Sequence, residues 1–464
     1  MLFPTLAFAV FFTIVLVGSW ALEHANARRK LFLLAASFVF YGWWDWRFVA
    51  LLAGSAAVNW ALGRLIAHNR ESARAGMLVA LGVIANLAVL GFFKYFGFFI
   101  ESAGQALNML GLERDLPLLQ VILPVGISFY TFQGISYIVD LKRGDLKAPS
   151  GFIDTMLYIS FFPQLVAGPI VRAKDFLPQL TITPRLSREA IALGALLIVW
   201  GLFKKTVIAT ELAEGLVDPV FFDPGSYSAL DRLFAVYAYA VQIYCDFSAY
   251  SDIAIGCAAL LGYRFARNFD QPYRASSFQD FWRRWHISLS TWLRDYLYIP
   301  LGGSRGGAIF TSRNLFLTML LGGIWHGAAW TFVAWGALHG AALVIERALG
   351  LARSGRGLLG ILITFHGVCL AWVLFRAPDF ATAWAFLTDF SYAASGLEVL
   401  TPFLAVLTVA GLGLHALPSR GIERASIVLA RLPSLVAALI LAAMFLLVEA
   451  LRPEGVAPFI YFQF

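Results

Sequence analysis

Leu315-Phe316-Leu317-Thr318-Met319-Leu320-Leu321-Gly322-Gly323-Ile324-Trp325-His326-Gly327-Ala328-Ala329-Trp330 opens a stretch that runs to Ile345 without a single Lys, Arg, Asp or Glu. Arg305 and Arg313 precede it and Arg347, Arg353 and Arg356 follow it. Short loops rich in Lys and Arg stay on the cytoplasmic side, so both flanks are assigned there. The stretch exceeds the ~20 residues that one span needs. It must therefore enter and return, as a hairpin or a broken helix. His326 lies thirteen residues past Arg313 and twenty-one before Arg347, deep in the apolar layer. An ionisable side chain at that depth is costly and marks a functional position by default. The glycines and alanines around it allow backbone or ligand to come close. Two readings stand for this imidazole: a satisfied core histidine, or a general base that takes a proton from an attacking hydroxyl. His339, thirteen residues on, reads first as packing.

The rest of the chain agrees with a membrane setting. Of 464 residues 60% are hydrophobic and only 14% charged, against ~45–50% and ~25% in soluble domains. That excludes a soluble multidomain protein and a disordered one, and leaves room for roughly a dozen spans. The fold class is an all-α polytopic membrane protein, one membrane domain over 1–464. Within it we distinguish N-terminal spans (1–261), a basic cytoplasmic or interfacial region (262–313), the His326 segment (314–346), C-terminal spans (347–458) and a tail (459–464). Leu2–Leu22 is long enough to remain as the first span rather than a cleaved signal. Leu31–Ile66 breaks at Trp43-Trp44-Asp45-Trp46-Arg47 into two spans, which puts the basic loops Arg28–Lys30 and Arg64–Arg74 on one side. Further spans are expected at Met77–Ile100, Leu118–Val139, Ala190–Thr210, Leu230–Ala249 with Ile253–Leu261 as part of a broken element, Leu358–Phe375, Thr401–His415 and Leu435–Val448. Pro163, Gly168 and Pro169 break the segment around Phe161–Val171, which must then be buried in protein or line a cavity. Arg420, Arg424 and Arg431 mark a cytoplasmic loop. Cys245, Cys257 and Cys369 lack any metal-ligand or disulfide spacing and read as small core residues. No metal site is expected.

Phe278, Phe281, Trp282, Trp285, Leu289, Trp292, Leu293 and Tyr296 fall at i, i+3, i+4, i+7 spacing. The pattern predicts one amphipathic helix over Phe278–Tyr298, lying at the interface or roofing a cavity, with Arg283, Arg284, Arg294 and Asp295 on its other side. His286 sits beside the stripe next to Trp285. Between Gly262 and Arg313 stand eight Arg and three Asp with no Lys or Glu, so this region carries five of the seven net positive charges. Such a patch meets anionic lipid or the phosphates of a ligand. A second polar group, Gln242 to Asp252, includes Asp246 and Tyr250 within an apolar run. It is read either as helix-bridging polarity or as cavity lining. Phe459-Ile460-Tyr461-Phe462-Gln463-Phe464 reads as an aromatic anchor, or as a tail whose phenol is a mobile nucleophile.

Taken together, Trp282-Arg283-Arg284-Trp285-His286-Ile287-Ser288-Leu289-Ser290, Trp292-Leu293-Arg294-Asp295-Tyr296-Leu297-Tyr298-Ile299, the Gly322-Gly323-Ile324-Trp325-His326-Gly327 block and Phe162-Pro163-Gln164-Leu165-Val166-Ala167-Gly168-Pro169 resemble the membrane-bound O-acyltransferase family over essentially the whole chain. Trp43-Trp44, Pro124–Phe132 and Asp246–Asp252 resemble its alginate O-acetylation branch. The resemblance implies a ring of about 11 or more helices around a thin centre, with a cytoplasmic funnel for an acyl donor. By motif the family's catalytic histidine falls on His326 and its second histidine on His286. It implies acetyl transfer from acetyl-CoA or an acyl carrier to a cell-surface polysaccharide such as alginate, in the bacterial inner membrane, with extracytoplasmic acyltransferase partners and surrounding lipid. Nucleic acid is not expected among the partners, nor a bound cofactor. Phe459, Tyr461 and Phe464 match a Phe-x-Tyr-x-x-Phe tail whose tyrosine carries the acyl group in similar systems. Trp325, Trp285, Arg283, Arg284, Arg294, Asp246 and Tyr250 are then the candidate substrate-binding residues. The alternatives are D-alanyl or other acyl transfer to a different envelope polymer, a transporter of polysaccharide or lipid-linked sugar, and a non-catalytic scaffold.

Overall fold

The computed structural model describes residues 1, 3–112, 121–351, 357–388, 398–418, 420–455 and 457–460. Among them every regular element is helical. Six helices are long and apolar enough to cross a membrane, seven if Pro402–Ala416 and Gly421–Arg431, bent by 79°, count as one broken span. The chain folds as two compact units, Met1–Pro184 and Arg185–Phe464.

In the first unit the helices Asn26–Asp45 and Arg47–His68 meet at Trp46, the expected break in the Trp-rich stretch. Helix Ala73–Met109 follows. It is held to Arg47–His68 by a buried reciprocal amide pair: Asn59 Nδ2 donates to Asn86 Oδ1 at 3.1 Å, and Asn86 Nδ2 to Asn59 Oδ1 at 3.0 Å. Expected span Leu118–Val139 differs. Among the described residues its helix starts only at Ile127, because Pro124 and the left-handed Gly126 (φ 76°) precede it. The segment holding Pro163, Gly168 and Pro169 is broken as expected: helix Phe152–Ser160 stops before it, Phe162–Leu165 is one short turn, and helix resumes only at Ala173. Protein groups take up the polar atoms freed there. Phe162 N–H donates to Ser37 Oγ (3.2 Å), Gln164 Nε2 to the Tyr158 carbonyl (2.6 Å) and Tyr158 OH to the Val171 carbonyl (3.1 Å). Phe161, Phe162, Leu165 and Ala167 are completely buried.

The second unit holds every described residue singled out for chemistry. Helix Arg188–Leu202 lies against Ala229–Leu260, and Gly194 and Gly256 make the approach possible: a Cβ on either would stand 2.9 and 2.7 Å from the other's carbonyl oxygen. Ala229–Leu260 is continuous, not broken between Ala249 and Ile253. Asp246, Ser248, Ser251 and Asp252 on it are bonded from neighbouring elements. After Leu202 the chain winds as a π-helix over Phe203–Ala209, an expansion that favours functional positions. There two successive lysines, Lys204 and Lys205, both turn inward and are buried. Gly421–Arg431, expected as a loop, is a helix.

The stretch from Leu315 folds as a helical hairpin. Helix Gly307–His326 ends at His326, Gly327–Ala329 are extended, and Trp330–Ala348 runs back antiparallel. Gly323 and Gly336 set the closeness of the hairpin: a Cβ on Gly323 would meet the Phe332 carbonyl oxygen at 2.4 Å and Gly336 Cα at 2.8 Å.

Candidate active site

The expected helix Phe278–Tyr298 is three pieces: Phe278–Arg284, Ile287–Leu293 and a π-wound turn Arg294–Tyr298. Neither Pro nor Gly interrupts the sequence there. Tertiary hydrogen bonds break it. The strand-like loop at 268–270 pairs with the break: Asp270 N–H donates to the Arg284 carbonyl at 2.9 Å, and Ile287 N–H to the Asn268 carbonyl at 2.8 Å. His286, at the junction, has φ 42°. A left-handed non-glycine residue costs about 1–3 kcal/mol and persists only where its surroundings hold it. One hydroxyl and one carboxylate fix the first piece. Ser277 caps it through Asp280 N–H (3.0 Å), and Glu346 of the returning helix accepts the N–H groups of Phe278 (2.8 Å) and Gln279 (3.2 Å). The apolar stripe is still the buried face: Phe278, Phe281, Trp282, Trp285, Leu289, Trp292 and Leu293 are all inside.

The break turns His286 into the interior, where it is completely buried. Asn268 organises it. Asn268 Nδ2 donates to Ser251 Oγ (3.1 Å), so Oδ1 faces the other way, accepting from Ser288 N–H (3.0 Å) and Ser288 Oγ (2.9 Å). The same Oδ1 stands 3.3 Å from His286 Nδ1. With an acceptor there, Nδ1 carries the hydrogen and Nε2 the lone pair. Burial holds this imidazole at about 3, well below its ordinary 6.5, so it is neutral at physiological pH.

His326 ends its helix 3% exposed, boxed by Trp325 (5.0 Å between ring centres), Trp335 (4.9 Å) and Phe375 (5.4 Å). Trp325 also lies 6.3 Å from the His286 ring. The two histidines expected from the sequence thus share one aromatic wall. His339 belongs to the same cluster: it accepts from Trp282 Nε1 at 3.3 Å and its ring lies 4.7 Å from Trp335.

A cavity of about 890 Å³ opens beside this cluster. Arg283, Arg294 and Arg347 contribute its cations, Glu346 a carboxylate, Ser290, Thr291, Tyr298, Ser304, Ser312 and Thr318 its hydroxyls, and Trp282, Leu293 and Met319 its apolar floor. Neither His326 nor His286 lines it. Met319, Gly322 and His326 follow one another along a single stripe of their helix, about 10 Å from first to last. Gly322 puts no side chain on that path, where a Cβ would meet only Leu293 Cδ1 at 3.3 Å.

Other expected residues stand elsewhere. Trp285 is sandwiched by Phe269 (5.0 Å), Trp372 (5.0 Å) and Phe281 (5.7 Å). Arg284 is bound to Asp280 at 2.8 Å and lies off the cavity. Asp246 and Tyr250 face the segment 458–460 instead: Asp246 accepts from Ile460 N–H at 2.8 Å, and the Tyr250 ring lies 4.8 Å from Phe459. Tyr461 and Phe464 lie outside the described residues. Sequence reasoning missed Asn268, Glu346, Lys204 and Lys205. The adjacent lysines inside an apolar run, Phe203-Lys204-Lys205-Thr206-Val207, were the available signal.

Several spanning helices around a buried polar centre define a multi-pass membrane protein with an internal site rather than a helical anchor. The MBOAT model, for the membrane-bound O-acyltransferase family, matches residues 142–354, and the chain belongs to that family. It is a membrane O-acyltransferase. It is 43% identical over 430 residues to the probable alginate O-acetylase AlgI of Pseudomonas aeruginosa, covering 89% of this chain and 82% of that one. It is 40% identical over 385 residues to the peptidoglycan O-acetyltransferase of Helicobacter pylori, covering 76% and 72%. The teichoic acid D-alanyltransferase of Bacillus subtilis is 26% identical over 329 residues, covering 67% and 80%.

Proposed function

We propose that this protein moves an acetyl group from acetyl-CoA, entering from the cytoplasm, toward O-acetylation of a cell-surface polysaccharide such as alginate, and that it works in the bacterial inner membrane with extracytoplasmic acyltransferase partners. The observation that carries the reading is the basic cavity beside the histidine cluster. Three arginines and six hydroxyl side chains at its walls suit the phosphates of a coenzyme A, since guanidinium forks pair with phosphate oxygens. The apolar floor at Trp282, Leu293 and Met319 suits a pantetheine arm directed along the Gly322 stripe to His326.

The chemistry then follows. His326 takes the proton of the acceptor hydroxyl as its oxygen attacks the thioester carbonyl carbon. A C–O bond forms and a tetrahedral oxyanion results. Its collapse breaks the C–S bond, and the imidazolium of His326 returns the proton to the departing thiolate. His286 positions the reacting groups, its orientation set by Asn268. The acceptor is Tyr461, which hands the acetyl to an outer partner, or the sugar hydroxyl itself. The relatives that transfer D-alanyl to teichoic acid support a second reading, in which a carrier protein supplies the thioester.

Purified protein offered radiolabelled acetyl-CoA, or a D-alanylated carrier, decides between donors. Release of free CoA with loss of the labelled thioester is expected from the first. Turnover of the carrier alone would overturn the acetyl reading. Mass spectrometry of the peptide containing Tyr461, in cells lacking the outer partner, should find it acetylated. An unmodified tyrosine there would leave direct transfer to sugar.

A further inference from the structure

Lys205 and Asp246 form an ion pair at 2.8 Å with side chains only 7% and 2% exposed. A buried pair of this kind is poor evidence for stability, because apolar residues of equal volume usually serve as well. This one has a further occupation. Lys205 Nζ donates to the Pro458 carbonyl at 3.2 Å, and Asp246 Oδ2 accepts from Ile460 N–H at 2.8 Å. The cation and the anion therefore hold main-chain groups on either side of Phe459. Phe459 and Ile460 are 4% and 1% exposed. The Phe459 ring lies 4.8 Å from Tyr250 and 6.2 Å from Phe247, and Phe247 meets the His286 ring edge-on at 4.6 Å.

The neighbouring pair provides a comparison built into the same helices. Lys204 Nζ binds Asp252 Oδ2 at 2.7 Å and Ser248 Oγ at 2.6 Å, and among the described residues neither member of that pair bonds to 458–460. The π-winding over 203–209 brings both lysines to the same helix, Ala229–Leu260. One pair joins two helices; the other joins two helices and a third segment.

We propose that Lys205 and Asp246 are positioning residues: a main-chain receptor that seats 458–460 against Tyr250 and Phe247, and through Phe247 braces the His286 side of the acyl-transfer site. The receptor reads a carbonyl and an N–H, so it fixes register without reading side chains, while Phe459 supplies the apolar plug. This inference rests on the acyl-transfer reading for its functional consequence. Its structural part stands independently of that reading.

The test uses the full chain in lipid nanodiscs. Lys205→Met with Asp246→Leu removes both charges together, so neither is left buried without its counter-charge. Lys204→Met with Asp252→Leu is the matched comparison, and Phe459→Ala is a second probe that keeps the ion pair. Amide hydrogen exchange across 457–460 is read alongside acetyl-CoA turnover. Exchange protection of this segment should fall at least tenfold in the Lys205/Asp246 and Phe459 variants and stay unchanged in the comparison. The same two variants should lower kcat at least tenfold with the KM for acetyl-CoA unmoved, and Lys205→Arg should restore most of it. Protection that survives loss of the pair overturns the receptor, whatever the activity. Protection lost with kcat unchanged overturns the positioning role. If the parent protein does not consume acetyl-CoA, the donor reading fails while the exchange result still decides the receptor.

Discussion

The side-chain oxygen of Asn268 stands 3.3 Å from Nδ1 of His286, and the same oxygen holds the backbone N–H and hydroxyl of Ser288. One amide thus sets both the tautomer of the imidazole and the turn that carries it. Asn268→Leu should lower turnover about 10²-fold, the scale of a lost acid–base or positioning group. Asn268→Asp, which keeps an acceptor toward Nδ1, should retain most of the rate. Steady-state acetyl-CoA consumption by the two variants is the measurement; equal losses in both would show that the Oδ1 contact does not matter.

The depressed pKa of His286 makes stability depend on pH in a definite direction. An unfolded chain protonates this imidazole below its ordinary 6.5, whereas the folded protein does so only near 3. Its contribution is therefore complete above pH 6.5 and is lost as pH falls from 6.5 toward 3, by about 2 kcal/mol at pH 5. His286→Asn, which tolerates the left-handed φ, should flatten the fall in Tm between pH 7 and pH 5 relative to the parent. Identical slopes would remove His286 from the pH response.

Arg283 and Arg294 are given the donor phosphates. Replacing either by Ala should raise the KM for acetyl-CoA about tenfold, the loss of one charge-assisted hydrogen bond, with a smaller change in kcat. The loss should shrink at high salt, as screening of exposed charges requires. Arg284, which does not line the cavity, is the contrasting position, and Arg284→Ala should leave KM within about twofold.

Two adjacent glycines should separate stability from activity. At Gly323 an added methyl collides with main-chain atoms of Phe332 and Gly336, so Gly323→Ala should cost about 1–3 kcal/mol and lower Tm markedly. At Gly322 the methyl meets only the flexible Leu293 Cδ1 at 3.3 Å, yet enters the stripe between cavity and His326. Gly322→Val should hold Tm near the parent and still reduce turnover. Unchanged turnover would argue against that path.

Much of this was legible in the sequence because membrane burial leaves a strong imprint. The Trp43–Arg47 break, the hairpin around His326 and the broken Phe161–Val171 segment each follow from charge placement or proline chemistry. The single helix read over Phe278–Tyr298 was wrong for an instructive reason. Its apolar period is real and its stripe is buried, but the bonds that break it come from Asn268 and Asp270, outside the window. Periodicity reports which face is buried, not whether the backbone is continuous. The continuous helix Ala229–Leu260 errs in the opposite sense. The sequence predicts a span to Ala249 and a separate piece from Ile253, whereas the helix runs through, with Asp246 and Asp252 paired to Lys205 and Lys204. For the site, His326 and His286 were legible as ionisable groups in apolar surroundings, while Asn268 and Glu346 act through contacts that only the fold creates.

His326 as the proton acceptor is the central claim. Its most direct test is the transfer of label from acetyl-CoA by the purified protein and by His326→Ala, each in nanodiscs at matched amounts. Because His326 is boxed by Trp325, Trp335 and Phe375, Tm is recorded beside each rate. The account predicts a loss of at least about 10²-fold in transfer with the variant still folded. Transfer by folded His326→Ala at the parent rate would contradict it.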